Sequence, residues 1–135
     1  MAGYSKTPLV KKLGIKPGYK MYVKNPPPNY RTLIAPLPEA VISLSRLSTN
    51  LDFIHFFTKS KKELATNIEN YAARIKPNGM IWVSWPKKSS KVPTDVTEDV
   101  IREVILPLGL VDVKVCAVDE VWSGLKLVIR RENRP

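Results

Sequence analysis

The chain has 135 residues, of which 44% are hydrophobic and 25% are charged, a balance that fits one globular domain and excludes disorder over most of its length. Its formal net charge is +10 and no acid precedes Glu39, so an anionic partner or a solvated basic surface is expected. The single cysteine, Cys116, excludes an internal disulfide and a cysteine-rich zinc site. No stretch reaches the ~20 apolar residues that span a bilayer, and the start of the chain lacks a signal-peptide pattern, so we expect a cytoplasmic protein.

Short elements are predicted in the first third of the chain. Thr7 as N-cap and Gly14 in the left-handed C-terminal position predict a short helix between them. A turn and then a strand over Lys20–Lys24 follow, and a proline-rich segment ends that strand. Residues 30–37 predict one or two helical turns, and the weak alternation of residues 40–45 predicts a second strand.

The middle of the chain gives the clearest pattern. Residues 51–57 form a nearly continuous apolar run, which is typical of a strand covered on both faces in a parallel sheet. A helix is predicted over residues 60–75, where apolar residues recur at helical spacing and Ser60 and Glu63 have the spacing of a capping box. A turn over residues 76–79 ends the helix, and a second buried strand follows it.

The last third predicts a helix and a hairpin. Asp95 and Glu98 have capping-box spacing and precede a helix with one apolar face. Two strands over residues 110–118 and 121–129 are separated by two residues, which indicates an antiparallel hairpin. The last six residues are expected to form a loose tail. Strands that alternate with helices predict an α/β fold with a mostly parallel sheet in three layers, ending in this hairpin.

Several segments resemble the class I methyltransferase sheet. Lys16-Pro17-Gly18 resembles the entry to its first strand, Asp52-Phe53-Ile54 is similar to the opening of its fourth strand, and residues 74–83 look like its helix, turn and following strand. The terminal hairpin is similar to its last two strands. The resemblance implies one Rossmann-like domain over residues 1–135, with one strand–helix unit missing between Arg46 and Leu51.

A closer resemblance links the chain to a small bacterial family of uncharacterised proteins. The residues that carry it lie in three segments, Gly3 to Leu9, Trp85-Pro86-Lys87-Lys88, and Val115 to Gly124. This second resemblance implies a fold more than an activity.

The segment after the first strand departs from the methyltransferase pattern. In that family a glycine-rich turn lets the backbone approach S-adenosylmethionine, whereas here Asn25 is followed by three prolines, which offer no backbone N–H. The second strand should end in an acid that holds the cofactor ribose, but Ser45 and Arg46 follow it. We therefore predict no cofactor. S-adenosylmethionine belongs only to the alternative of a divergent methyltransferase, with Asp52 and Trp85 as its contacts.

No catalytic or metal-binding set can be assembled from the sequence. His55 is the only histidine, and its apolar surroundings predict a buried, packed or hydrogen-bonded side chain. Cys116 lies in a strand and is expected to be a small core residue. Asp95, Glu98 and Asp99 could serve acid–base chemistry, but they are better explained as acids at a helix N-terminus, each contributing about 0.5–1 kcal/mol.

Three tryptophans, Trp82, Trp85 and Trp122, could stack on a base or another ring of a ligand. Trp82 and Trp85 are three positions apart in one strand, so they should face opposite sides of the sheet. Trp82 is expected in the core, and Trp85, at the strand end, is the better candidate to contact a ligand.

The loops after three strands carry the candidate binding residues. Ligands of open α/β sheets bind beyond the carboxyl ends of the strands, and in a methyltransferase-like order these strands are neighbours. The helix that starts at Ser60 would add anion-binding N–H groups. The predicted anion pocket consists of Lys24, Asn25, Arg31, Lys59, Ser60, Trp85, Lys87, Lys88 and Lys91.

These residues predict a non-catalytic or vestigial binding domain for a phosphate-bearing or other anionic small molecule. Two alternatives stay open beside the divergent methyltransferase. The basic first 38 residues and the lysine loop could bind nucleic acid nonspecifically, although no recognised motif supports this, or the lysines could be independent solvated side chains.

Overall fold

A computed structural model describes residues 7–134 of the chain, and these contain one six-stranded sheet. The strands are β1 (Lys20–Lys24), β2 (Ile42–Leu44), β3 (Leu51–Phe57), β4 (Ile75–Pro86), β5 (Leu110–Ala117) and β6 (Trp122–Ile129). Their order in the sheet is β2-β1-β3-β4-β6-β5. The first four pair in parallel, whereas β6 is antiparallel to both β4 and β5. The prediction of a mostly parallel sheet that ends in an antiparallel hairpin is confirmed.

Helices cover both faces of the sheet, as the three-layer prediction required. They are α1 (Leu9–Leu13), α2 (Tyr30–Leu33), α3 (Lys61–Ala72) and α4 (Glu98–Ile105). On one face α3 and α4 bury their apolar stripes against the sheet, and on the other face α1 and α2 do so. The second face carries helices of only five and four residues, so its cover is thinner.

Side-chain alternation along the strands divides the core into two clusters. In β4, Trp82 belongs to the cluster beneath α1 and α2, and Trp85 belongs to the one beneath α3 and α4. The prediction that these two tryptophans face opposite sides is confirmed. Trp82 is fully buried, and its indole N–H donates to the Leu13 carbonyl at 2.9 Å, which ties α1 to the centre of the sheet.

The predicted turn over residues 76–79 is wrong, because β4 begins at Ile75 and runs through it. Ile75 already pairs with Leu51, and an irregularity follows before Phe53 pairs with Met80. Gly79 permits this close approach, since a Cβ there would lie 3.0 Å from the Leu51 carbonyl oxygen.

Two of the predicted helix caps differ from those in the structure. Gly14 ends α1 with a φ of 79°, as expected, but Pro8 takes the N-cap position that was assigned to Thr7. Thr97 caps α4 by accepting from the Val100 N–H, so the predicted role of Asp95 at that helix is wrong.

The end of the described chain is exposed but has local hydrogen-bonded structure, and the loose tail stays a prediction. Residues Arg131–Asn133 form a single 3₁₀ turn, and the Asn133 side chain donates to the Gly109 carbonyl at 3.3 Å. Within residues 7–134, no helix has the length and apolar character needed to cross a membrane.

Candidate ligand-binding site

A cavity of about 440 Å³ opens where β1 and β3 end and β6 begins. In the sheet β1, β3 and β4 are neighbours, as the sequence predicted, so the loops that follow these three strands lie at the same edge. The strand β6 pairs with β4 and begins at this edge. The cavity is lined by Asn25, Pro26, Pro27, Pro28, Phe57, Thr58, Lys59, Ser60, Glu63 and Trp122. We call it the carboxyl-edge pocket.

Glu63 organises one wall of the carboxyl-edge pocket. One carboxylate oxygen accepts from the Thr58 hydroxyl at 2.5 Å, and the other accepts from the Asn25 amide at 3.2 Å. The Asn25 amide also donates to the Phe57 carbonyl at 3.1 Å. Asn25 adopts a left-handed backbone conformation, with a φ of 57°, which asparagine tolerates better than most residues. These bonds join the loop after β1 to the first turn of α3.

The capping box predicted at Ser60 and Glu63 is only half formed. The Ser60 hydroxyl accepts from the Glu63 N–H at 3.1 Å, but the Glu63 carboxylate does not return to the Ser60 N–H. The Thr58 hydroxyl oxygen accepts from that N–H instead, at 3.2 Å. Glu63 is thereby released from helix capping and contributes to the pocket.

Asp95 closes the N-terminus of α3 from a distant part of the chain. Its carboxylate accepts from the Lys61 N–H at 2.7 Å, and the neighbouring Thr94 hydroxyl donates to the Lys59 carbonyl at 2.7 Å. Because the protein's own groups accept from the N–H groups of Ser60, Lys61 and Glu63, these three donors are not available to a ligand. An anion in the pocket would therefore have to be bound by side chains.

Trp122, which the sequence interpretation did not place in a site, supplies the aromatic wall. Its ring meets Phe57 edge to face, with 5.1 Å between ring centroids. The Asp119 carboxylate accepts from the backbone N–H of Trp122 at 2.7 Å and stabilises the turn before β6. Trp85, the predicted wall, is 8% exposed and packs in the core cluster beneath α3 and α4. The signal for Trp122's role was its place at the start of the last strand, which pairs with the end of β4.

The structure brings some of the predicted anion-pocket residues together and separates the others. Asn25, Lys59 and Ser60 line the carboxyl-edge pocket, and Arg31 lines a second cavity on the other side of the proline segment. Lys24 ends β1 directly before Asn25. The remaining lysines, Lys87, Lys88 and Lys91, follow β4, whose last residue, Pro86, pairs with Trp122.

The second cavity is larger and mainly apolar. It has a volume of about 680 Å³ and lies between α2 and the face of β1 and β2. Met21, Val23 and Ile34 are among its lining residues, with Arg31 as the charged group. Pro26, Pro27 and Pro28 line both cavities, so the proline segment separates them.

His55 is buried and fully hydrogen bonded, which confirms the sequence prediction for it. Its Nδ1 lies 2.8 Å from the Tyr30 hydroxyl, and its Nε2 lies 2.7 Å from the Ser84 hydroxyl. Burial lowers the pKa of His55 to about 3. Its ring stacks on Phe57 with a centroid separation of 4.2 Å. A neutral imidazole with both nitrogens engaged and no exposed surface is a structural group rather than a base for a bound ligand.

The remaining candidate groups do not converge on the carboxyl-edge pocket. Cys116 is half-buried, and burial raises the pKa of its thiol. Glu98 and Asp99 form ion pairs with Arg102 within α4. Across residues 7–134 no group of three or more His, Cys, Asp or Glu side chains could hold a metal ion.

Three solved methyltransferase structures are similar to this chain over 90% of its length. A SAM-dependent methyltransferase from Aquifex aeolicus matches with a TM-score of 0.62 and 14% identity, over 88% of that chain. Magnesium protoporphyrin IX methyltransferase from Synechocystis PCC 6803, with bound SAM, matches at 0.60 and 10%, over 76% of its chain. Aeropyrum pernix fibrillarin with natively bound S-adenosyl-L-methionine matches at 0.57 and 14%, over 72% of its chain.

No protein-family model and no curated protein sequence matches the chain. At 10–14% identity the structural likeness establishes the fold and leaves the activity to the site itself. The parallel strands, the final hairpin and the coverage of 90% agree on that fold. The chain has a truncated, methyltransferase-like Rossmann fold.

Proposed function

We propose that this chain is a non-catalytic binding domain that takes a small phosphate-bearing ligand in the carboxyl-edge pocket. The observation that carries the proposal is the pocket itself. A cavity of about 440 Å³ lies at the strand ends where open α/β sheets bind ligands, with an aromatic wall and a lysine in its lining.

The charge around the pocket supports an anionic ligand. Among the lining residues that the structure describes, Lys59 and Glu63 are the ionisable ones, and both oxygens of Glu63 already accept protein hydrogen bonds. Lysines also end or follow the strands that surround the pocket, at Lys24, Lys88 and Lys91. A phosphate group would meet this excess of positive charge at the rim, while Trp122 and the prolines would contact an apolar part of the ligand.

The side chains that line the pocket support ligand binding rather than catalysis. The lining residues that the structure describes include no histidine or cysteine, and the Ser60 hydroxyl is occupied in capping α3. Both carboxylate oxygens of Glu63 are engaged, one by the Thr58 hydroxyl and the other by the Asn25 amide.

Calorimetry with inorganic pyrophosphate and with ADP tests this proposal. Lys59→Ala should weaken binding about tenfold, the equivalent of ~1.4 kcal/mol, with thermal stability nearly unchanged because exposed lysines contribute little to folding. Lys62→Ala is the matched control, since Lys62 is exposed one turn away and does not line the pocket. The proposal fails if folded Lys59→Ala binds both probes as tightly as the wild type, or if neither probe binds at millimolar concentration.

A divergent S-adenosylmethionine-dependent methyltransferase is the second candidate, favoured by the fold of the neighbours. The residues present do not fit that cofactor in its usual position. Pro26–Pro28 offer no N–H groups where a glycine-rich turn is needed, and no acid follows β2. The two contacts expected under this alternative also lie elsewhere: Asp52 pairs with Lys76 at the opposite end of β3, and Trp85 is in the core.

Calorimetry with S-adenosylmethionine separates the two candidates. Micromolar affinity would favour the enzyme, and no binding at millimolar ligand would leave the binding domain.

We further infer, from the resemblances in the sequence, that the chain belongs to the small bacterial family of uncharacterised proteins and acts in the cytoplasm. A reducing compartment suits its single thiol.

A further inference from the structure

Five lysines form a continuous basic surface on the sheet face that carries α1, away from the carboxyl-edge pocket. They come from α1, the turn after it and the hairpin: Lys11, Lys12, Lys16, Lys114 and Lys126. We call this set the α1–hairpin surface. Lys126 pairs with Trp82 in the middle of β4, so the surface lies over the centre of the sheet rather than at its carboxyl edge.

Lys114 and Lys126 are direct cross-strand partners in the hairpin. Directly opposite residues in antiparallel strands point to the same face, with Cβ atoms about 4.5–5.5 Å apart, and like charges in this position destabilise the sheet. Burial lowers the pKa of Lys126, and the charges of Lys114 and Lys16 lower it further. The fold therefore holds these cations together at a cost to its own stability.

No carboxylate relieves this repulsion within residues 7–134. The ion pairs of that part of the chain involve Lys61, Lys76, Arg102 and Arg130, and none involves the α1–hairpin surface. Among the described residues, the ammonium groups of the surface make one hydrogen bond, from Lys114 Nζ to the Lys12 carbonyl at 3.1 Å, where a positive charge meets the C-terminal end of α1.

The surface includes a cleft between α1 and β5. The cleft has a volume of about 410 Å³, and Lys11, Lys12 and Lys114 contribute its charge. Cys116 lies in the same cleft, beside Lys12 and Lys114. The cations are spread along a helix, a turn and two strands and do not converge on one point, which suits a ligand with a row of negative charges better than a single phosphate.

We propose that the α1–hairpin surface binds the phosphodiester backbone of a nucleic acid without reading its sequence. All five cations are lysines, which act as point charges on phosphates, whereas protein–protein interfaces are depleted in lysine. This site goes beyond the proposed ligand pocket and shares no lining residue with it.

Fluorescence anisotropy with a labelled random 20-nucleotide RNA and a random 20-base-pair DNA tests the inference. At 50 mM salt the wild type should bind, and Lys114→Gln/Lys126→Gln should bind at least about tenfold more weakly. Loss of two phosphate contacts should reduce the slope of log K against log salt by about 1.4 for the single-stranded RNA and by about 1.8 for the DNA duplex. The same variant should melt at an equal or higher temperature than the wild type, because the cross-strand repulsion is removed.

The matched control is Lys59→Gln/Lys88→Gln, which removes the same charge from the carboxyl edge. It should retain nucleic-acid binding within about twofold while losing pyrophosphate, so the two proposals can fail separately. Cys116 reports the position of the complex, since bound nucleic acid should slow its alkylation by iodoacetamide at least about threefold. The inference is overturned if neither nucleic acid binds at 50 mM salt, if the carboxyl-edge variant loses binding instead, or if alkylation of Cys116 is unchanged in the complex.

Discussion

Asp95 accepts a 2.7 Å hydrogen bond from the backbone N–H of Lys61, 34 residues before it, and so caps a helix to which it does not belong. The bond fastens the loop after β4 to the start of α3, beside the carboxyl-edge pocket. One carboxylate thus holds the loop after β4 against the helix whose first turn lines the pocket.

Asp95→Ala should destabilise the protein by about 1 kcal/mol, because it leaves an N–H at the start of α3 without its acceptor. Chemical denaturation at neutral pH measures the change in the free energy of unfolding. Asp99→Ala is the control, since the Asp99 side chain is 94% exposed and its ion pair with Arg102 contributes little. Equal stabilities of the two variants would contradict the capping role.

His55 should remain neutral in the folded protein throughout the pH range from 8 to 5. Its folded-state pKa of about 3 lies below the ordinary value of 6.5, so the unfolded chain takes up a proton before the folded one does. Stability from this group is complete above pH 6.5 and decreases as the pH falls toward 3, by up to ~1.4 kcal/mol per pH unit. As the only histidine, His55 can be followed by NMR without ambiguity. A titration midpoint near 6.5 in the folded protein would disprove its burial.

Tyr30→Phe should lower the free energy of unfolding by about 1–3 kcal/mol, since it leaves Nδ1 of His55 buried without a partner. Tyr22→Phe is the control, because Tyr22 is only partly buried and its hydroxyl makes no hydrogen bond within residues 7–134. Urea denaturation of both variants measures the difference, and a loss of similar size in each would mean that the Tyr30–His55 bond adds nothing specific.

Glu63→Gln should strengthen pyrophosphate binding by about two- to tenfold, because it removes the negative charge that Glu63 places in the pocket lining. The amide keeps the size of the carboxylate but cannot accept from both Thr58 and Asn25, so stability should fall by about 1–3 kcal/mol. Calorimetry and denaturation measure the two effects. Glu69→Gln, on the exposed side of α3, should change neither. Weaker binding by folded Glu63→Gln would argue against an anionic ligand.

Gly79→Ala should destabilise β4 by about 1–3 kcal/mol, because the new methyl group would lie 3.0 Å from both the Leu51 carbonyl oxygen and the Ile75 Cβ. Asn78→Ala, at an exposed position in the same strand, should have little effect. Thermal unfolding of both variants measures the difference. A Gly79→Ala protein as stable as the wild type would show that β3 can move aside.

The sequence predicted those features that depend on periodicity and neighbouring residues. The buried strand containing His55 was evident from its apolar run, and the hairpin from its short connection. The cap made by Asp95 was missed because its partner is 34 residues away, and capping spacing identifies only local acceptors. The sequence pattern therefore assigned the cap of α4 to Asp95, whereas Thr97, directly before the helix, makes that hydrogen bond.

The sequence predicted the location of the candidate site, at one edge of the sheet, better than it predicted which side chains line it. Topology alone places Asn25, Lys59 and Ser60 together once the strand order is known. The choice of Trp85 over Trp122 could not be corrected from sequence, since both stand at strand ends and only the packing of α3 and α4 buries one of them. The role of Glu63 depends on Asn25, which adopts a backbone conformation that no sequence pattern indicated.

Because His55 is buried, the net charge of the protein is also insensitive to pH near neutrality. Histidine is the side chain that ordinarily changes charge between pH 5 and 8, and this chain has one, held neutral in its core. The formal side-chain charge of +10 should therefore stay constant across that interval. Any attraction that the protein exerts on polyanions would respond to the surrounding salt and hardly at all to a mild change in acidity.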